Sequence, residues 1–455
     1  MHYIHAGQVL TQNGWMRDVQ IDIGNDGRIV AIGPKSGGAG QTIDIALAAP
    51  TNLHSHTFQR AMAGLTEAKG KAAQDSFWTW RRLMYRFLEQ LTPDHVESIA
   101  ALVFMEMQEA GYGSVAEFHY LHHDLGGTPY ANPAEMTERI VSAAQQAGIG
   151  LTLLPVLYQF GGCDHRALAG GQMRFGTSSD GFEALYCGAA KSVAQSLGDH
   201  KIGAAAHSLR AVDQAGLDFA LTLCPDGPFH MHVAEQVGEV DEVQSHLGAR
   251  PVEWLLHNYP VDQRWCFIHA TQMTSQETQA LAMSGAVVGL CPITESNLGD
   301  GIFNGLEYIS AGGRVGFGSD SNIHVSLFDE LKTLEYSQRL HHKSRAVLAA
   351  PDRSTGRVLF DLAAAGGAQA AGRNAGAIAV GMQADILGIS SNNQWLCSRS
   401  GDAILDSLIF GGRGQECISD VWSAGRHMVT NGRHINRNAI IDAFKLTISE
   451  LGQEI

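Results

Sequence analysis

FHMHVAE, residues 229–235, is a short apolar run with histidines at 230 and 232 that stops at an acid, Glu235. At that length it has the size of a buried strand, and alternation puts His230 and His232 on one face of it. The same construction recurs along the chain as VAEFHY (115–120), GLTLLPVLY (150–158), WCFIHA (265–270), AVVGLCP (286–292) and RVGFGSD (314–320). Between these runs lie longer segments with apolar residues at helical spacing, such as TPDHVESIAALVFMEMQEAG (92–111) and SQETQALAMSG (275–285). Strand–helix alternation implies parallel strands joined by right-handed crossovers. About eight such units between Ala48 and Gly372 predict an α/β fold, a closed (β/α)8 TIM-like barrel over 48–372.

Outside that span the pattern changes. WMRDVQIDIGNDGRIVAIG (15–33) alternates apolar and polar positions on both sides of Asn25-Asp26-Gly27, which predicts a hairpin. AIAVGMQADILGIS (377–390) and ECISDVWSAGRHMVTNGRHI (416–435) resemble it, the latter closing on Asn431-Gly432. One small β-sandwich domain assembled from both termini, 1–47 and 373–435, is expected, with a terminal helix over 436–455.

The 455 residues carry 31 Lys+Arg against 46 Asp+Glu, a formal charge of −15 that repels phosphate backbones and argues against nucleic acid as a partner. No apolar run has the length of a membrane span, and the first residues lack a basic segment followed by an apolar one. Seven scattered cysteines without CxxC spacing point to reduced thiols. Together these predict a cytoplasmic, soluble protein with no membrane partner.

In parallel barrels the chemistry gathers at the C-terminal ends of strands. Here the apolar runs end in His54-Ser55-His56, His119-Tyr120, His207, His232 with Glu235, His269, and Ser319-Asp320. An HxH pair by itself also fits a polar loop in a chain holding 21 histidines. Joined with His232 and Asp320, however, His54 and His56 make three imidazoles and a carboxylate. Such a set suits one zinc ion per subunit that keeps a place for water, although iron or manganese accept a similar set.

HSH after the first barrel strand, HMHVAE, IHA and GSD resemble the metal-site series of the mononuclear deaminase branch of the amidohydrolase superfamily. The LTLLPV run ends without the lysine that bridges two metals in the binuclear members. Further stretches, NLHSHTFQRAMAGLTE (52–67), FWTWRRLMYRF (77–87), EFHYLHHD (117–124), HSLRAV (207–212) and HVAEQ (232–236), are similar to the formiminoglutamate deiminase family. That resemblance spans essentially the whole chain. It implies substrate contacts from Gln59, Arg81 (in preference to Arg82), Tyr120, His207 and Arg210, and a homodimer. Arginines inside an acidic protein suit a small dicarboxylate, because guanidinium grips carboxylate in a fork.

The reaction this implies is zinc-dependent hydrolysis of N-formimino-L-glutamate to N-formyl-L-glutamate and ammonia, a step of histidine degradation. Asp320 is expected to act as ligand and base, His269 to orient the nucleophile, and Glu235 to carry protons to the departing nitrogen. CPITESNLGDG (291–301) is expected as a loop bordering the mouth, and the doublets His122-His123 and His341-His342 as solvated residues. One rival is a related deaminase acting on an aminopurine, a pterin or a thiolated nucleoside. Another is a non-catalytic scaffold on the same barrel.

Overall fold

The computed structural model describes residues 2–35, 40–65, 67 and 84–452. The chain begins in a sheet: β1 (His2–Thr11), β2 (Gly14–Ile23), β3 (Ile29–Pro34) and β4 (Gln41–Ala48). As the alternation predicts, β2 and β3 pair antiparallel around residues 24–28. The C-terminal segment adds β14 (Ile386–Ile389), β15 (Ile418–Ser423), β16 (Arg426–Thr430) and β17 (Arg433–His434). β14 pairs antiparallel with β4, which places the junction of the two termini inside one continuous sheet of eight strands. Inward residues of its strands, including Ile4, Val19, Ile21, Ile43, Ile386 and Trp422, form a separate apolar core. Both turns flanking β16 use left-handed residues, Ala424 and Gly425 before it and Asn431 and Gly432 after it, as tight hairpins of this twist require.

Between the two halves of the sheet runs the barrel. Its strands are β5 (Thr51–Ser55), β6 (Ser114–His119), β7 (Gly150–Leu157), β8 (Lys201–Ile202) with β9 (Ala204–Ala206), β10 (Phe229–Val233), β11 (Trp265–His269), β12 (Val287–Leu290) and β13 (Arg314–Phe317). Each neighbouring pair is parallel. β8 and β9 both lie along β7 and act as one interrupted strand, so eight staves result. The ring closes where Ser55 bridges Asp320 in parallel. At that seam Ser319 and Asp320 donate their amides to the carbonyl of His54 at 3.0 and 2.9 Å, and His56 donates to the carbonyl of Asp320 at 2.8 Å. Gly318 permits this approach, since a Cβ there would stand 2.7 Å from the Cβ and O of His54.

Helices between the strands start on the caps the sequence provides. Thr92 caps Pro93–Glu109, with a proline at the first position, and Thr274 with Glu277 forms a capping box on Ser275–Ser284. The terminal helix Arg437–Leu451 lies against Pro93–Glu109, held by His95 Nε2 to Glu450 Oε2 at 3.0 Å and by Arg437 to Glu109. Sheet and barrel are joined by a buried charge network. The Arg373 guanidinium reaches Asp199 Oδ2 and Asp385 Oδ2, each at 3.2 Å, and Arg426 meets Asp199 Oδ1 at 2.7 Å. Among the described residues no helix is long and apolar enough to cross a membrane.

Candidate active site

His54 stands near the end of β5, His56 follows that strand, His232 is in β10, and Asp320 comes just after β13. All four are buried and meet at one point of the barrel mouth. His54 Nε2 lies 3.1 Å from His232 Nε2, and His56 Nε2 lies 3.3 Å from it. Asp320 Oδ1 is 3.2 Å from both His54 Nε2 and His56 Nε2. Four donors about 2.0–2.1 Å from a common centre are separated by about 3.3 Å, so the spacing is that of a tetrahedral metal shell.

The hydrogen bonds behind the donors test whether a cation belongs there. His56 Nδ1 faces the carbonyl of Phe118 at 2.9 Å, and His232 Nδ1 faces that of His207 at 3.1 Å. A carbonyl only accepts, so both Nδ1 atoms carry the hydrogen and both Nε2 atoms present lone pairs. Two buried lone pairs 3.3 Å apart beside a carboxylate repel one another unless a cation stands between them. Burial, then the neighbouring His56, lowers the pKa of His54 to about 3, which keeps that ring neutral and able to bind a metal. Burial and then His54 hold His232 well below its ordinary value as well. The residues fit a metal ion.

Beside this centre lie two further strand-end residues. His269 ends β11 with φ of 69°, and Glu235 follows Ala234, whose φ is 53°; Asp320 has φ of 46°. Non-glycine residues pay on the order of 1–3 kcal/mol for such conformations, and they cluster where side chains must be aimed. His269 Nε2 stands 3.9 Å from Glu235 Oε1, and its Nδ1 lies 3.1 Å from Glu295 Oε1. Burial opposes a charge on His269, but Glu235, Glu295 and Asp320 outweigh it and raise its pKa to about 10.

The pocket above the centre is lined by His56, His232, Glu235, His269 and Asp320 together with Gln59, Tyr120, His207 and Arg210. Gln59 Nε2 donates to the Tyr120 hydroxyl at 2.7 Å. Burial keeps that phenol protonated, far above its ordinary pKa. Arg210 is buried, and its Nε has no hydrogen-bond partner among the described residues. A desolvated guanidinium bordering a cavity is a receptor for an anion.

Residues 45–428 match the model of the amidohydrolase family, and residues 1–41 match that of the formimidoylglutamate deiminase HutF N-terminal domain. The chain belongs to the amidohydrolase family. It is 46% identical over 455 residues to a formimidoylglutamate deiminase of Pseudomonas aeruginosa, covering 99% of this chain and 100% of the relative. A crystal structure of an amidohydrolase from Brucella melitensis superimposes with a TM-score of 0.94 at 45% identity, over 99% of this chain and 100% of that one. An adenosine deaminase from Xanthomonas campestris with bound zinc shares the fold, with a TM-score of 0.82 at 20% identity over 99% and 98% of the two chains.

For this amidohydrolase the structure gathers every expected site residue except one at a single mouth. Arg81 lies outside the described residues, as does its neighbour Arg82. The expectation for His122 is corrected. It is 1% exposed and its Nε2 faces the carbonyl of Val156 in β7 at 2.8 Å, because the amides of His122 and His123 are both tied to the carbonyl of Arg174. His123 is half-buried against the carbonyl of Gly176, whereas His341 and His342 are exposed as expected. Segment 291–301 is also not all loop: Pro292–Leu298 is a short helix that brings Leu298 to the pocket.

Two kinds of site residue escaped the sequence. Tyr158 and Phe175 line it as ordinary apolar positions with no pattern to single them out. Glu295 lies behind His269, and its Oε1 also accepts the amide of Cys291 at 2.8 Å. The only signal for it was an acid within a segment already placed at the mouth.

Proposed function

We propose that this protein is a zinc-dependent formimidoylglutamate deiminase, converting N-formimino-L-glutamate and water to N-formyl-L-glutamate and ammonia. The observation that carries the proposal is the joint placement of a four-donor metal shell and the buried Arg210 guanidinium on one pocket. The similarity to the Pseudomonas aeruginosa deiminase supports the same substrate. His54, His56, His232 and Asp320 hold the ion. When bound, zinc lowers the pKa of water toward about 7 and so supplies hydroxide near neutral pH.

The side chains account for the rest. Arg210 grips a carboxylate of the substrate, with Arg81 assigned by resemblance to help with the two that glutamate carries. His207, Gln59 and Tyr120 orient the chain between carboxylate and formimino carbon. Asp320 has Oδ1 turned to His54 and His56, leaving Oδ2 to take a proton from the water as it adds to the formimino carbon. His269, fixed through Nδ1, presents Nε2 to the oxygen. Glu235 carries protons to the terminal nitrogen as its bond to carbon breaks, so the hydrogens of water leave within ammonia. All seven cysteines are free thiols, in keeping with the cytoplasmic setting of such an enzyme.

Ammonia release from N-formimino-L-glutamate, measured beside adenosine, guanine and cytosine, tests the proposal, together with metal analysis of the purified protein. Turnover of the first with one zinc per chain is expected. Failure on it with turnover of a base would transfer the site to the nucleobase deaminases, and absence of bound metal would favour a scaffold.

A further inference from the structure

Glu235 leaves β10 through a turn that an alanine holds in the left-handed region, with φ of 53° at Ala234. Something must make that conformation stable. The amides of Ala234 and Glu235 both point toward the first turn of helix Val237–Leu247, where Glu239 receives them. Ala234 donates to Glu239 Oε1 and Glu235 donates to Oε2, each at 3.0 Å. Glu239 is 1% exposed, so its charge is removed from water and spent on these two bonds. Burial works against the charge of the Arg210 guanidinium, and Glu239, followed by Glu235, outweighs it.

We propose that Glu239 is a positioning residue, a two-toothed clamp on consecutive backbone amides that aims the Glu235 carboxylate. The inference rests on Glu235 acting as the proton carrier. Geometry at both oxygens is required. Glutamine at 239 keeps the volume but offers one acceptor, and its amide group meets the second backbone N–H donor to donor. The turn then relaxes, and the carboxylate of Glu235 moves from its place beside His269. Nothing in the clamp touches the metal donors, so metal binding does not depend on it.

The test is a double-mutant cycle in the full-length, metal-loaded enzyme with E239Q, E235Q and both together. E239Q is expected to lower kcat about 10²-fold, the size of a 1 Å misplacement, with KM within about threefold and metal content unchanged. Added to E235Q, it is expected to cost no more than about twofold, because the residue it aims has already lost its function. A full additional loss in the E235Q background, or an E239Q enzyme with undiminished kcat, overturns the clamp. E235Q with undiminished kcat instead overturns the proton-carrier role on which it rests. Ala234→Gly supplies rescue: glycine adopts positive φ without support, so A234G/E239Q is expected to recover at least about fivefold in kcat over E239Q. No recovery counts against the clamp; should E239Q not fold, E239D, which keeps the charge but shortens the reach to the two amides, takes its place in the same cycle.

Discussion

The Nδ1 of His269 lies 3.1 Å from Oε1 of Glu295, an oxygen that also accepts the amide of Cys291. The carboxylate fixes the ring plane and helps to hold the ring protonated, and places the other nitrogen toward the pocket. Glu295→Ala removes that support without touching a metal donor. A fall of about 10–10²-fold in kcat is expected, with metal content unchanged, measured by steady-state kinetics and elemental analysis. Loss of metal along with activity would show that His269 is coupled to the shell instead.

Arg210→Met replaces a buried charge by a chain of similar length. KM for formiminoglutamate is expected to rise about 10²-fold, the cost of one charge-assisted carboxylate contact, while zinc content holds. Equal KM with wild type would place the carboxylate elsewhere in the pocket.

Asp320→Asn keeps an oxygen near His54 and His56 but cannot take a proton. No measurable turnover at any substrate concentration is expected. In the wild type, dialysis against a chelator should abolish activity and one equivalent of zinc per chain should restore it.

Arg373 is the buried hub between sheet and barrel, with Asp199 and Asp385 on it. Arg373→Met leaves the buried Asp385 without its partner and Asp199 with Arg426 alone, and is expected to cost about 3–5 kcal/mol in urea unfolding. Asp199 also titrates in a definite direction. Burial raises its pKa, but Arg426 and Arg373 outweigh this and hold it below 3.8 in the folded state. Its contribution is therefore present above pH 3.8 and lost as pH falls through the lower folded value. The stability gap between wild type and Asp199→Asn should be full at pH 7 and narrow under acid. A gap that widens under acid would contradict the assignment.

Barrel and metal shell were legible because their signals are local. Short apolar runs give strand positions, and the residue that ends each run is the one the barrel delivers to its mouth, as with His232, His269 and Asp320. The hairpins were legible from Asn-Asp-Gly and Asn-Gly, whose backbones suit tight turns. Glu239 and Glu295 were not, because each sits in an early helical turn where an acid looks like a solvated cap. Only the folded chain shows that one reaches back to two strand-end amides and the other to an imidazole on a different strand. His122 misled for the opposite reason: a polar doublet after a strand suggests a wet loop, and here its partner is a carbonyl more than thirty residues away.

The seam between the first and last staves has a consequence for biosynthesis. Two of the ion's donors are contributed at the start of the barrel and one by residue 320, and main-chain bonds between His54, His56, Ser319 and Asp320 tie them together. A nascent chain still short of that residue holds three of the four donors, so the complete set exists only once the last stave has joined the first.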